Sequence, residues 1–356
     1  MTVFLILAFF GLLAALERFG TPASLAALRF RGSTDRILAE PGEVLTWSSS
    51  VENHSRFPIP FVRLQLPFPA DAKPEDSPLW KKAHLRDGVQ GWYAEEKLSL
   101  PPRRSITRTV RFSLSERGIY TVGKYRMAAG DLLGFREEAV EGPGKKVVVM
   151  PHRSRDPVVL KTLGGFLGDL SVRRFLLEDP ILTVGFREYT GREPQKAISW
   201  TRTAIAGSLQ VKQYDHTAQQ TASVLLDTSD ASPEQIESCF RLARSACEAL
   251  EKQKIPFSFR TNGSLSGPTG KVHFIPEGLG ERHLSSILYC LGTGEYTCFF
   301  SRRTLVRQAL DSRKSNEAFL VITAAAESEQ QVFRPLETAV GNPVCFLIGR
   351  EEVPAP

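Results

Sequence analysis

"TASVLLDTSDASPEQIESCFRLARSACEALEKQ", residues 221–253, carries the change of pattern that decides the fold of the C-terminal half. Val224, Leu225 and Leu226 form a short unbroken apolar run, as in a strand covered on both faces. From Pro233 onward the apolar spacing becomes helical: Ile236, Cys239, Phe240, Ala243, Ala246, Cys247 and Leu250 share one face. The helix start is well marked. Ser232 is placed to cap it, Pro233 suits its first turn, and Gln235 completes a capping box. A buried strand, a short polar loop and a capped helix predict a mostly parallel, helix-covered α/β sheet. Strands are also expected at Ile255–Thr261, Glu317–Ala325 and Asn342–Gly349, with helix-like "EQQVFRPLETAV" between the last two.

Toward the N-terminus the period changes. Between residues 25 and 150, "EVLTWSSSVEN", "VRLQLPF", "SITRTVRFSL" and "IYTVGKYRMAA" alternate apolar with polar positions and are punctuated by Pro, Gly and Asn. That pattern predicts an immunoglobulin-like β-sandwich. Residues 69–88 carry no strand pattern and read as a long loop, and residues 151–178 read as a connector. "TVFLILAFFGLLAAL", Thr2 to Leu16, is apolar and close to the lower limit of about 17 residues for a membrane span. It lacks the basic lead-in of a signal peptide, so it reads first as a retained single-span anchor in the cell membrane, the alternatives being a cleaved leader and a buried core helix. Arg18, Arg29, Arg31 and Arg36 follow it, which predicts a cytoplasmic location for the bulk of the chain. The resulting layout is an anchor at 1–20, a β-sandwich at 25–150, a connector and motif segment at 151–215, and an α/β domain at 216–350.

Composition sets limits on function. The 356 residues are 42% hydrophobic and 24% charged, which is ordinary for folded domains, and the net charge of +6 is modest. Such a surplus suits a membrane surface or an acidic partner and does not by itself indicate nucleic acid. Cys239, Cys247, Cys290, Cys298 and Cys345 form no CxxC pair and read as reduced thiols in a cytosolic setting. Catalytic signatures are missing. The six His stand singly, "GSLSG" has Leu265 at its centre, and "GPTGKV" has Val272 where a phosphate loop needs Ser or Thr. Both glycine-containing stretches read as turns.

Two places hold candidate chemistry. Asp227 and Ser229 follow the buried strand, at the strand ends where open α/β sheets place ligands. Their oxygens could contribute to a Mg²⁺ site, which opens a reading as a metal-assisted hydrolase using Asp227, or they could simply satisfy the loop backbone. The second place is "REYTGREPQKAISWTRTA", residues 187–204, with Lys212 beyond it. Arg187, Tyr189, Arg192, Lys196, Trp200, Arg202 and Lys212 read as an ordered extension clamped onto the α/β domain, with Trp200 and Ile198 as anchors. The exposed basic residues would then form a partner-facing rim. Nucleic-acid binding through this segment is a third reading; it requires a steep salt dependence.

Three stretches carry a family likeness: "SERGIYTVGKYRMAAGDLLGF...KKVVVMP" (115–151), "GFREYTGREPQKAISWTRTAIAGSLQVKQYD" (185–215) and "VLLDTSD" (224–230). In this order the chain resembles the bacterial proteins of domain-of-unknown-function family fifty-eight. The resemblance implies a membrane-anchored chain with a β-sandwich and a von Willebrand factor A-like domain, encoded beside MoxR-type AAA+ ATPases. It implies no enzymatic activity. Departures are visible. The family often has Gly-Asp and Ile-Asp-Trp where this chain has Gly191-Arg192 and Ile198-Ser199-Trp200, and Ile205 replaces a common Arg. Of the metal ligands expected of such a domain, Asp227 and Ser229 are present, Ala231 replaces a Ser, and Ala324 to Ala326 stand where a later Asp is expected. The expected function is therefore a non-enzymatic, membrane-tethered scaffold or adaptor working with a MoxR-type ATPase in the assembly or maturation of other proteins, with any Mg²⁺ site degenerate.

Overall fold

A computed structural model describes residues 8, 11 and 26–350, without 76–77, 85–89, 131–136, 177–178, 192, 194, 216–219, 269, 315, 327 and 340–343. The apolar stretch Thr2–Leu16 thus lies almost wholly outside the described residues, and among those described no helix is long and apolar enough to cross a membrane. The chain divides into two units, Met1–His152 and Arg153–Pro356.

The first unit is built from strands β1 (Leu28–Thr34), β2 (Leu38–Ala39), β3 (Val44–Asn53), β4 (Ile59–Pro67), β5 (Ala72–Pro74), β6 (Trp80–His84), β7 (Gln90–Leu100), β8 (Ser105–Leu114), β9 (Gly118–Val122), β10 (Tyr125–Gly130), β11 (Glu137–Gly142) and β12 (Lys145–Val149). They form sheets ordered β1-β3-β8-β5, β11-β10-β4-β7-β6 and β2-β12-β9. Alternation decides which side chains face inward. In β3, Leu45, Trp47 and Val51 are buried between half-exposed neighbours. They share one core with Phe112 of β8, Val62 and Leu64 of β4, Met127 of β10, and Val147 of β12. This is sandwich packing, in which inward faces of different sheets fill one layer. Gly123 (φ +70) lies against the Trp47 ring, and a Cβ there would meet that ring. Within the expected loop 69–88 the structure has two strands, β5 and β6, paired to β8 and β7. They are short and anchored by single residues such as Ala72, so they leave no run of alternation to read.

The second unit opens with a helix where a connector was expected. Helix α1 (Pro157–Leu176) buries Val159, Leu163, Phe166, Leu167 and Leu170 at helical spacing. Strand β13 (Asp179–Glu188) then pairs antiparallel with β14 (Gln210–Asp215), and helix α2 (Trp200–Ala206) lies between them. The remaining elements are β15 (Thr221–Leu226), α3 (Pro233–Lys252), β16 (Phe257–Gly267), β17 (Gly270–Gly278), α4 (Glu281–Gly292), α5 (Arg302–Asp311), β18 (Glu317–Thr323), α6 (Arg334–Ala339) and β19 (Val344–Ile348). Their sheet has the order β17-β16-β15-β18-β19. β15, β16, β18 and β19 run parallel, and β17 is an antiparallel edge.

Every residue of β15 and of β18 is buried, as a sheet covered on both faces demands. Leu225, Phe319 and Val321 pack on one face with Val306, Ala309, Phe333 and Leu336. By period two, Val224, Leu226, Leu320 and Ile322 point to the opposite face. The start of α3 has the full capping box: Ser232 Oγ accepts from Gln235 N, and Gln235 Oε1 accepts from Ser232 N. "GSLSG" is not a turn; it lies in β16, and "GPTGKV" spans the β16–β17 connection and the start of β17. Gly263 sits in a strand because a Cβ there would come within 3.0 Å of Thr228 Oγ1, and strand glycines mark such close approaches.

Candidate functional site

β15 leads to β16 on one side, and β18 pairs on its other side, so strand order reverses between β15 and β18. Crevices at that point, beyond the strands' carboxyl ends, are where open α/β sheets bind ligands. Asp227 follows β15 directly and is 0% exposed. Its neighbours come from distant parts of the sequence. Asp227 Oδ2 accepts from Arg302 Nε at 2.6 Å and from Thr323 Oγ1, the last residue of β18, at 2.8 Å. Asp227 Oδ1 accepts from Asn262 Nδ2 of β16 at 2.7 Å and from Ser229 N at 3.1 Å.

Arg302 spends the rest of its fork on the same cluster. Nη1 donates to Glu329 Oε2 at 3.0 Å, and Nη2 donates to Ser229 O at 3.2 Å. Burial works to lower the pKa of this guanidinium, but the bonds to Asp227 and Glu329 outweigh it and raise the value. Arg302 opens α5 after the Ser301 cap. Cations in a first helical turn oppose the helix dipole, so the position is explained by the carboxylate it faces rather than by the helix. Asn262 closes the loop from the other side: Oδ1 accepts from Thr228 N at 2.9 Å, and Nδ2 also reaches Ser229 Oγ at 2.7 Å.

A resident dication needs several oxygens free to face it. Here each Asp227 oxygen already accepts two protein hydrogen bonds, Ser229 Oγ accepts another, and a guanidinium stands against the carboxylate. The donor set does not fit Mg²⁺. Asp227 and Ser229 are brought together as the sequence implied, but they serve a tie joining the strand-tip loop to β16, β18, α5 and Glu329. Among the described residues no group of three or more His, Cys, Asp or Glu is arranged to hold a metal. Asn262, Arg302, Thr323 and Glu329 escaped the sequence reading, since Arg302 lies 75 residues from Asp227.

Cys298, the exposed cysteine, adjoins this cluster, with Sγ 3.5 Å from Ser229 Oγ and donating to Phe300 O at 2.9 Å. The other thiols are buried. Burial pushes Cys239 up to about 12, and Cys290 and Cys345 each up to about 11. Cys247 is raised too, by burial first and then by Glu248.

The second candidate region is the β13–β14 hairpin with its inserted helix. Its register pairs Phe186 with Lys212, Arg187 with Val211, and Glu188 with Gln210. Ile198 bridges Val211, and both are buried. Ser199 N donates to Gln210 O at 2.8 Å, Gln210 N donates to Thr203 Oγ1 at 3.0 Å, and Tyr189 N donates to Leu209 O at 2.8 Å. These bonds seat α2 on the hairpin through Ser199 and Thr203. Ile198 thus ties the insert to β14 of its own hairpin rather than to the five-stranded sheet, and Trp200 is no anchor: it is 68% exposed, and Ile205 is 73% exposed. Phe186 and Leu209 are exposed on the same hairpin. Arg202 lies over the Phe186 ring at 4.9 Å, Arg187 pairs with Glu193 at 2.6 Å, and Lys196 and Lys212 face solvent. Arg192 lies outside the described residues. Exposed apolar side chains interleaved with cations form a surface able to dock a partner.

No protein-family model matches the chain, and no curated relative does. Among solved structures it is similar to a CARDB domain from Pyrococcus furiosus, at 13% identity and a TM-score of 0.23, over 34% of this chain and 91% of that one. It is also similar to the alpha-2-macroglobulin of E. coli, at 11% identity and a TM-score of 0.27, over 35% of this chain and 9% of that one. Likenesses this faint carry no argument about what the chain does.

Proposed function

We propose that this chain is a non-enzymatic interaction scaffold whose second unit is a von Willebrand factor A-like domain with its strand-tip site closed by Arg302. The observation that carries the reading is the exposure of Trp200 and Ile205 on α2 and of Phe186 and Leu209 on the hairpin that carries it, in a segment that also exposes Arg187, Lys196, Arg202 and Lys212. Large aromatics cost free energy in water and concentrate in protein interfaces, where Arg is enriched beside them. The resemblance to domain-of-unknown-function family fifty-eight supports a MoxR-type AAA+ ATPase as the partner. The apolar stretch Thr2–Leu16 supports a tether to the membrane with the bulk of the chain on the cytoplasmic side. The hydrolase reading loses its support because Asp227 is buried and saturated, and a modest net charge gives nucleic acid none. Affinity capture from solubilised membranes tests the proposal. Intact chain is expected to retain an AAA+ ATPase, and the double variant Trp200→Ala/Ile205→Ser is expected to lose it. Equal recovery with both chains would remove the hairpin as the docking surface.

A further inference from the structure

Helix α5 and the segment from Ser328 to Pro335 enclose an open groove of about 640 Å³. Val306, Leu310, Val332 and Pro335 give it aliphatic walls, and Arg303 and Arg307 stand along its α5 side. The opposite wall is Ser328, Gln331, Val332 and Pro335. Two neighbours of its lining residues are tied down: Phe333 is fully buried in the core cluster, and Glu329 is held by Arg302 at 3.0 Å.

The two arginines are the anomaly. Both are exposed, they lie one helical turn apart, and among the described residues neither forms an ion pair. Like charges four residues apart on a helix repel, and Arg303 adds the penalty of a cation in the first turn. Arg302, beside it, has the same handicap and an evident reason in Asp227. Among the described residues Arg303 has no such carboxylate, and Arg307 has only Asp311 one turn further along α5, so the Arg303 guanidinium above all is left for an external partner. Two guanidinium forks beside aliphatic walls call for carboxylates beside an aliphatic side chain. Asp311, the acidic residue at the far end of the groove, sets a polarity by repelling a carboxylate there.

We propose that this groove docks an acidic segment of a partner protein, with an aliphatic side chain seated on Val306, Leu310 and Val332 and carboxylates bridging to Arg303 and Arg307. The arginines are about 6 Å apart along the helix axis. Alternate residues of an extended chain have nearly that separation, so carboxylates two residues apart match the pair. The inference is independent of the hairpin, and loss of ATPase capture would leave it intact.

Fluorescence anisotropy with the full chain and short labelled peptides tests it. The probes alternate Glu with Leu, Gln with Leu, or Glu with Ser. The Glu/Leu peptide is expected to bind about tenfold more tightly than the Gln/Leu peptide, as two partly exposed ion pairs allow. Arg303→Glu/Arg307→Glu is expected to abolish the difference, and Arg303→Gln/Arg307→Gln to remove most of it with less risk to the fold. Equal binding of the Glu/Leu and Gln/Leu peptides, or unchanged binding to the Gln pair, would overturn the proposal. So would equal binding of Glu/Ser and Glu/Leu peptides, or displacement by inorganic pyrophosphate at lower concentration than the peptide, since either makes this a simple anion site. Self-association of the chain that disappears in the Gln pair would also overturn it, by assigning the groove to a second copy.

Discussion

Replacing Arg302 by Met isolates the strand-tip tie. The change keeps much of the aliphatic volume but removes the Nε donor 2.6 Å from Asp227 Oδ2, together with the bonds to Glu329 and Ser229 O. Asp227 is then a fully buried carboxylate whose remaining donors, Thr323 Oγ1, Asn262 Nδ2 and Ser229 N, are all neutral. Orphaning a buried charge in this way costs about 3–5 kcal/mol. For a unit near 200 residues, at about 2–4 °C per kcal/mol, the melting midpoint should fall by roughly 6–20 °C. The companion Asp227→Asn/Arg302→Met should lose less than Arg302→Met alone, because no charge is left buried, and the double-mutant cycle should show a large coupling. Thermal unfolding followed by far-UV circular dichroism supplies all the values. A loss below about 1 kcal/mol for Arg302→Met would refute the reasoning, since it would mean that water takes the place of the guanidinium at the carboxylate. Added Mg²⁺ should leave the midpoint of the unmodified chain unchanged, because the guanidinium already faces Asp227; a rise would contradict the tie.

Three further expectations follow from particular groups. Native chain should present one rapidly reacting thiol to an aromatic disulfide reagent, and Cys298→Ser should remove it, because the other four thiols are buried; several fast thiols would contradict the packing. Hydrogen bonds from Thr190 Oγ1 and Thr190 N, with the Arg187 ion pair, hold Glu193 down to about 2 from its ordinary 4.5. A depressed carboxylate stabilises the fold above its ordinary value and loses that contribution as pH falls through the folded value. Exchange of the Thr190 amide should therefore accelerate as pH drops from about 4.5 toward 2, after correction for intrinsic rates, and a flat profile would contradict the turn. Ser232→Ala breaks the capping box of α3 and should cost about 1 kcal/mol in chemical unfolding; no loss would show that the cap is redundant.

The strand–loop–helix of residues 221–252 was legible because local signals agree there: an apolar run, a capping box, and seven apolar positions on one face. The sandwich was legible in β3, where burial alternates for ten residues, and in the second half of β8, where Val110, Phe112 and Leu114 alternate with less buried neighbours. Helix α1 was obscured by Gly164, Gly165 and Gly168, each costing about 1 kcal/mol in helix propensity, although Val159, Leu163, Phe166, Leu167 and Leu170 keep helical spacing. Trp200 misled because residue type predicts burial only on average; the bonds of Ser199 and Thr203 decide which side of α2 meets the hairpin. The strand-tip cluster was half legible. Asp227 and Ser229 announce themselves at a strand end, but nothing local in "SRRTLVRQALD" says that its first arginine reaches them. That pairing is a property of the sheet order, which puts the tips of β15, β16 and β18 side by side.

Photocrosslinking from position 200 tests the scaffold account most directly. With a photoreactive phenylalanine derivative in place of Trp200, and an otherwise intact chain in its native membranes, irradiation should yield a protein adduct containing an AAA+ ATPase. The same group at exposed Lys97 should give none. Adducts to lipid alone at position 200, or identical adducts from both positions, would contradict the account.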